Sequence, residues 1–140
     1  MLHILKLSVG PKDVEQLHGL QKLRAISDPP LRHRTRSRPK RRDEILDGGS
    51  IYWVVAGFLQ VRQRIVDIIE DQTEDGTPCA GLLLDPALVP VAARSVKAFQ
   101  GWRYLEADAA PPDVADHALA HGMESLPPAL RAALREARLI

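Results

Sequence analysis

Apolar and polar residues alternate over residues 3–9 (HILKLSV), with Ile4 and Lys6 on one side and Leu5, Leu7 and Val9 on the other. This period of two predicts a short strand. Gly10-Pro11 ends it, and the spacing turns helical: Val14, Leu17, Leu20 or Gln21, and Leu23 or Arg24 recur along one face to about Ile26. Proline suits a first helical turn, and Asp13 and Glu15 suit the positive end of a helix dipole. Ser27-Asp28-Pro29-Pro30 stops the helix, because proline disfavours helix in the residue before it.

Residues 32–40 carry a second alternation, this time of charge. Arg32, Arg34, Arg36, Arg38 and Lys40 fall on every other residue, so an extended chain places all five on one face and His33, Thr35 and Ser37 on the other. Pro39 lacks a backbone donor, which favours an edge strand or loop. The segment reads as a basic comb along an exposed edge, or equally as a flexible basic loop that keeps the surface solvated. Arg41–Asp47 (RRDEILD) reads as a short helical turn closed by Gly48-Gly49 in a left-handed conformation. Glycine following the helix is the reverse of a phosphate-cradling loop, which excludes a nucleotide P-loop here.

The most β-prone run follows. Ile51–Val55 is a strand, Ala56-Gly57 a turn, and Phe58–Ile69 fits either period. The β-branched density of Val61, Ile65, Val66, Ile68 and Ile69 decides for a long strand. Glu74-Asp75-Gly76 turns the chain into a returning strand over Cys79–Leu84, with shorter strands expected at Ala87–Val91 and Ala98–Leu105. Pro111-Pro112-Asp113 opens a predicted helix closed near Gly122, and Ser125 caps another with Leu126, Leu130, Ala133 and Leu134 on one face. The order predicts one α+β domain over residues 1–140: a curved antiparallel sheet flanked by an N-terminal helix and two C-terminal helices.

Composition adds bounds. The 140 residues are 45% apolar and 26% charged, which suits a folded single domain with one core. No apolar run nears the roughly 20 residues that span a bilayer, and the N-terminus lacks the marks of a signal peptide, so the expected location is the cytoplasm, with no membrane partner. A single cysteine, Cys79, excludes an internal disulfide. The net charge of +1 hides an asymmetry: without the seven basic residues of 32–42, twelve basic residues stand against eighteen acidic ones. Charge gathered in one segment bears on partner choice more than on fold.

The candidate interface is therefore for RNA or another nucleic acid. Arg32, Arg34, Arg36, Arg38, Lys40, Arg41 and Arg42 would neutralise phosphates. Arg62 and Arg64 share one face of a strand, and Arg103 lies between Trp102 and Tyr104, where base stacking beside a cation is chemically sound. Against this, Arg62 and Arg64 can pair with Asp67, Glu70 or Asp71, and Tyr52 and Trp53 fit a core better than a platform. An enzyme reading rests on Asp43, Glu44 and Asp47 beside the glycines, where a carboxylate can act as base or ligand. His117 and His121 are four apart, but the H-E-x-x-H glutamate and a third ligand are missing. No catalytic constellation or cofactor motif emerges, Cys79 reads as an inert buried thiol, and oligomeric state stays open.

Pro39–Glu44 (PKRRDE), Asp47–Val54 (DGGSIYWV), Arg62–Ile65 (RQRI) and Phe99–Leu105 (FQGWRYL) together resemble a bacterial family of domains of unknown function, number 1489 in that series. The resemblance spans nearly the whole chain and implies no activity or catalytic residue. A looser, architectural resemblance is to PUA-like and ASCH-like pseudo-barrels, which place a short helix and glycine turn before an I-Y-x-V strand. Here those would be Asp43–Ser50, Ile51–Val55 and the hairpin strand Phe58–Ile69. That likeness implies RNA or modified-base binding, by fold analogy alone. The reading is a non-catalytic nucleic-acid-binding module; the alternative is a small-molecule or nucleotide-processing enzyme with a cleft near Asp43, Glu44 and Arg62.

Overall fold

The computed structural model describes residues 1–114. In chain order they form β1 (Leu2–Leu7), α1 (Val14–Ser27), β2 (Arg32–Thr35), α2 (Arg42–Leu46), β3 (Ser50–Val55), β4 (Phe58–Gln72), β5 (Pro78–Leu84), β6 (Val89–Ser95) and β7 (Trp102–Glu106). The strands make one sheet in the order β2-β5-β4-β3-β1-β7, with β6 also paired to β4. The sheet is mixed, not antiparallel as expected. β1 runs parallel to β3, with Ile4 opposite Ile51 and Leu7 opposite Val54. The long crossover through α1, β2 and α2 returns the chain to the same end of the sheet, which a tight hairpin cannot do.

The two predicted C-terminal helices, with His117 and His121, lie outside the described residues, except for the start of the first. There Pro112 O accepts from Ala92 N (2.9 Å) and Val114 N donates to Pro90 O (3.0 Å), so the chain runs along β6 as extended backbone instead of opening a helix. Other boundaries shift modestly. Asp13 caps α1 by accepting from Gln16 N at 2.8 Å, which leaves Pro11 outside the helix. β6 runs on to Ser95, while β7 begins only at Trp102, after Gly101 turns the chain at φ +70°.

α1 and α2 sit on the same face. Leu17 and Ile45 join Leu2, Ile4, Ile51, Trp53, Val61, Ile65 and Leu82 in the main core, while Tyr52, Val54, Leu59, Val91 and Leu105 form a second cluster. Each fully buried aliphatic contributes about 1.5–3 kcal/mol relative to exposure. The sheet therefore carries most of the stability, since α1 buries only Leu17 and Gln21 and exposes Leu23 and Ile26. Gln21, not Leu20, turns inward because it meets a buried partner. Gln21 and Gln63 exchange amide hydrogen bonds of 3.0 and 2.7 Å, and Trp53 Nε1 donates to Gln63 Oε1 at 3.0 Å.

Gly48 ends α2 at φ +87°, as the sequence predicts. Gly49 is required by a close approach: a Cβ there would lie 2.2 Å from Leu2 O and 2.3 Å from Ile45 O. This lets α2 fold back directly onto β1. The fifteen-residue β4 is bent by register shifts near Leu59/Val61 and Ile65/Asp67, so its first half pairs β3 and β6 and its second half β5.

Curvature brings the two ends of the strand order together. β2 and β7 are not paired, and the sheet stays open. Trp102 Nε1 nevertheless donates to Ser37 O (2.8 Å), and the backbone N–H groups of Lys40 and Arg41 donate to the Tyr104 hydroxyl (2.9 and 3.2 Å). The segment after β2 thus lies along the β7 edge.

Candidate nucleic-acid interface

β2 keeps the alternation read from the sequence, but only as far as Thr35. His33 pairs opposite Leu82 and turns to the core, its ring edge-on to Trp53 at 5.5 Å. Arg32 and Arg34 face the other way and converge on one carboxylate: their Nε atoms donate to Asp71 Oδ2 at 2.5 and 3.1 Å. Both guanidinium groups also reach Asp28, at 3.4 and 3.1 Å. Gly81 makes room, since a Cβ there would sit 3.0 Å from Asp71 Oδ2 and 3.1 Å from Ile69 Cγ1. The Arg32 hydrogen bond, helped by Gln72 N and Arg34, holds the Asp71 carboxyl down at about 2.

Beyond Thr35 the comb breaks. Thr35 Oγ1 accepts from Ser37 N (3.2 Å), which bends the chain at Arg36-Ser37, so the five basic side chains do not share one face. Acidic residues from other elements then take most of the charges. Arg38 pairs with Glu70; Arg41 holds Glu44 through Nε and Nη2 (2.6 and 2.7 Å) and Glu106 through Nη1 (3.0 Å). Arg42 donates to Asp67 Oδ1 (2.8 Å) and Ile68 O (3.0 Å). Only Arg36 and Lys40 of the seven have side chains without a hydrogen-bonded or ionic partner among the described residues. The acidic surplus of the rest of the chain is spent here.

These pairs are not equivalent. The side chains of Arg32 and Asp71 are 10% and 14% exposed, and losing either partner leaves a charge in a poor solvent. Arg38 and Glu70 are 48% and 76% exposed, where an ion pair contributes only about 0–1 kcal/mol and a competing anion can displace it.

The remaining candidates separate by face. Trp102 and Tyr104 pack beside the main core with ring centroids 4.9 Å apart, next to segment 36–41, and Arg41 lies 5.4 Å over the Tyr104 ring. Arg103, between them in sequence, points the opposite way, as strand alternation demands, and stacks 4.4 Å over Phe99. A cation between two platform rings is therefore not formed. Arg62 pairs opposite Tyr52 on the other face and grips Asp113 in a two-pronged ion pair (2.7 and 2.7 Å), with a further bond to Ser50 Oγ at 3.1 Å. Its partner is thus Asp113, not Asp67, Glu70 or Asp71, which face the arginines of 32–42. Arg64 is exposed and without a partner among the described residues.

Of the residues expected to line an enzyme cleft, Glu44 is bound to Arg41 and Arg62 to Asp113. Tyr52 and Trp53 are core residues, and Cys79 is buried. Among the described residues no group of three or more His, Cys, Asp or Glu is placed to hold a metal ion. No helix among them is long and apolar enough to cross a membrane. Sequence reasoning missed Tyr104 as the anchor of segment 36–41 and Asp71 as the hub of β2, because both act across dozens of residues with no local signal.

No curated protein and no solved structure matches the chain. The family described as "Protein of unknown function (DUF1489)" matches residues 4–140, close to the full length, and the chain belongs to that family.

Proposed function

We propose that this chain is a non-catalytic, cytoplasmic module that binds single-stranded nucleic acid, RNA in the first instance, on a PUA-like curved sheet. The supporting observation is the laying of segment 36–41 along β7, which sets Ser37, Lys40 and Arg41 against the half-buried Trp102–Tyr104 pair, with Arg36 and Arg38 on the same stretch. Cations tracking a backbone next to aromatic rings are the chemistry that holds single strands. Arg36 and Lys40 have no hydrogen-bonded or ionic side-chain partner among the described residues, and Arg38 and Arg41 exchange exposed carboxylates for phosphate at small cost. Arg32 and Arg34 keep structural duties, and Arg62, Arg64 and Arg103 meet only a ligand that wraps the edge. No observation favours the enzyme reading.

The test is fluorescence anisotropy of labelled RNA and DNA single strands across a salt series. Replacing Arg36, Arg38 and Lys40 with Ser should lower the slope of log affinity against log salt by about 2, from roughly 0.7 per contact. Trp102→Ala should weaken binding about tenfold, at the low end of the stacking range. Absence of binding at low salt, or an unchanged slope in the triple variant, sinks the proposal.

A further inference from the structure

A half-open pocket of about 190 Å³ lies on the core face, between α1 and strands β1, β2, β3 and β5. Its walls mix an apolar side, with Leu17, Leu20, Leu31, Leu84 and Trp53, and a polar one. The polar side is made by Lys6 from β1, Arg24 from α1 and His33 from β2. Arg32 stands at the rim, already held by Asp71, and no Asp or Glu lines the pocket.

This arrangement is unfavourable as it stands. Lys6 is half-buried, and burial pushes its ammonium below the ordinary lysine range; its Nζ donates only to the neighbouring Leu7 carbonyl at 3.0 Å. Neither the Arg24 guanidinium nor the His33 ring makes a hydrogen bond among the described residues. Burial, with Lys6 and Arg24 nearby, lowers His33 to about 4, so its imidazole is neutral and keeps one donor and one acceptor unmet. Lys6 and His33 are partly buried without a charged partner, which carries a desolvation cost, and the exposed Arg24 adds a second positive charge at the mouth.

We infer that this pocket binds a small organic anion, with an apolar body of about one ring against Trp53 and the leucines and a carboxylate or phosphate facing Lys6, Arg24 and His33. The volume suits such a body, since an apolar cavity of about 150 Å³ accommodates benzene. An anionic head supplies the missing acceptors, and the ring replaces water on the leucine walls. This site is distinct from the nucleic-acid surface: none of its lining residues lies in segment 36–41 or on β7, although Lys6 pairs opposite Trp102.

The two tryptophans provide the test. Benzoate, phenyl phosphate, inorganic phosphate and benzyl alcohol are titrated into labelled full-length protein while the Trp53 and Trp102 indole N–H and His33 ring resonances are followed by NMR. Benzoate or phenyl phosphate should shift Trp53 and His33 saturably and by more than Trp102, whose neighbour Lys6 also faces the site, with whichever head group binds tighter naming the class. Inorganic phosphate and benzyl alcohol should each bind at least tenfold more weakly. Lys6→Met and, separately, the exposed Arg24→Gln should each weaken the better anion about tenfold. Lys6→Met should leave the ligand-free melting temperature unchanged or raised, because the desolvation cost goes with the charge. Equal binding of benzyl alcohol, shifts confined to Trp102, no saturable shift with either aromatic anion, or full affinity in Arg24→Gln overturns the inference. None of these outcomes depends on whether RNA binds at β7.

Discussion

Asp71→Asn removes the charge at which Arg32 and Arg34 meet while keeping the size of the side chain. The folded carboxyl sits at about 2 against an ordinary 3.8, which is about 2.4 kcal/mol at 1.36 kcal/mol per unit. Asp71 is 14% exposed and Arg34 31%, so solvent screening trims this to about 1–2 kcal/mol. Because the folded value is depressed, the contribution is complete above the unfolded value near 4 and is lost as pH falls through about 2. Urea unfolding of wild type and variant should therefore show a deficit of about 1–2 kcal/mol from about pH 5 to pH 7, shrinking towards zero between about pH 4 and pH 2. A cycle with Arg34→Gln should give a coupling of at least about 0.5 kcal/mol. A deficit below about 0.3 kcal/mol at neutral pH, or one that persists unchanged in acid, would refute the electrostatic account of how β2 is held.

Gln63→Leu strands the amide of Gln21 and the indole N–H of Trp53 and should cost about 2–4 kcal/mol in chemical denaturation. Adding Gln21→Leu should recover part of that loss; a double variant worse than the sum of the singles would contradict it. Gly49→Ala forces a methyl within 2.3 Å of two carbonyl oxygens and should abolish cooperative melting or cost at least about 3 kcal/mol by circular dichroism. Ala56 holds φ +49° in the β3–β4 turn, so Ala56→Asn should raise stability by about 0.5–1 kcal/mol in thermal melts, and a loss would show that the turn relaxes in solution.

Much of this architecture is legible locally. The continuous β-prone run Ile51–Val55 and the β-branched density of Phe58–Ile69 specify strands, because branched and aromatic side chains pack well on a pleated surface. Helix punctuation at Asp13 and Gly48 is equally local, since a cap bonds within its own turn. His33 pointing inward and Arg32 and Arg34 outward follow from the same period of two. Lys6 sharing a side with Ile4 follows from the same period, but that this side faces the main core does not. The folded family, covering nearly the whole chain, was also recognisable from four short stretches.

What a basic segment does is not a local property. Seven cations in eleven residues look like one charged edge until Asp28, Glu44, Asp67, Glu70, Asp71 and Glu106 arrive from four parts of the chain. Residue type states that a charge exists; only the register of β4 against β5 and the curl that brings β7 beside Ser37 decide which charges meet. The parallel pairing of β1 with β3 was hidden for the same reason, as it depends on where a long crossover ends. Hydrophobic periodicity acts over a few residues through backbone geometry and so can be read directly. Ion pairing and pocket formation act through space between distant segments, and they were settled only when the sheet closed its core.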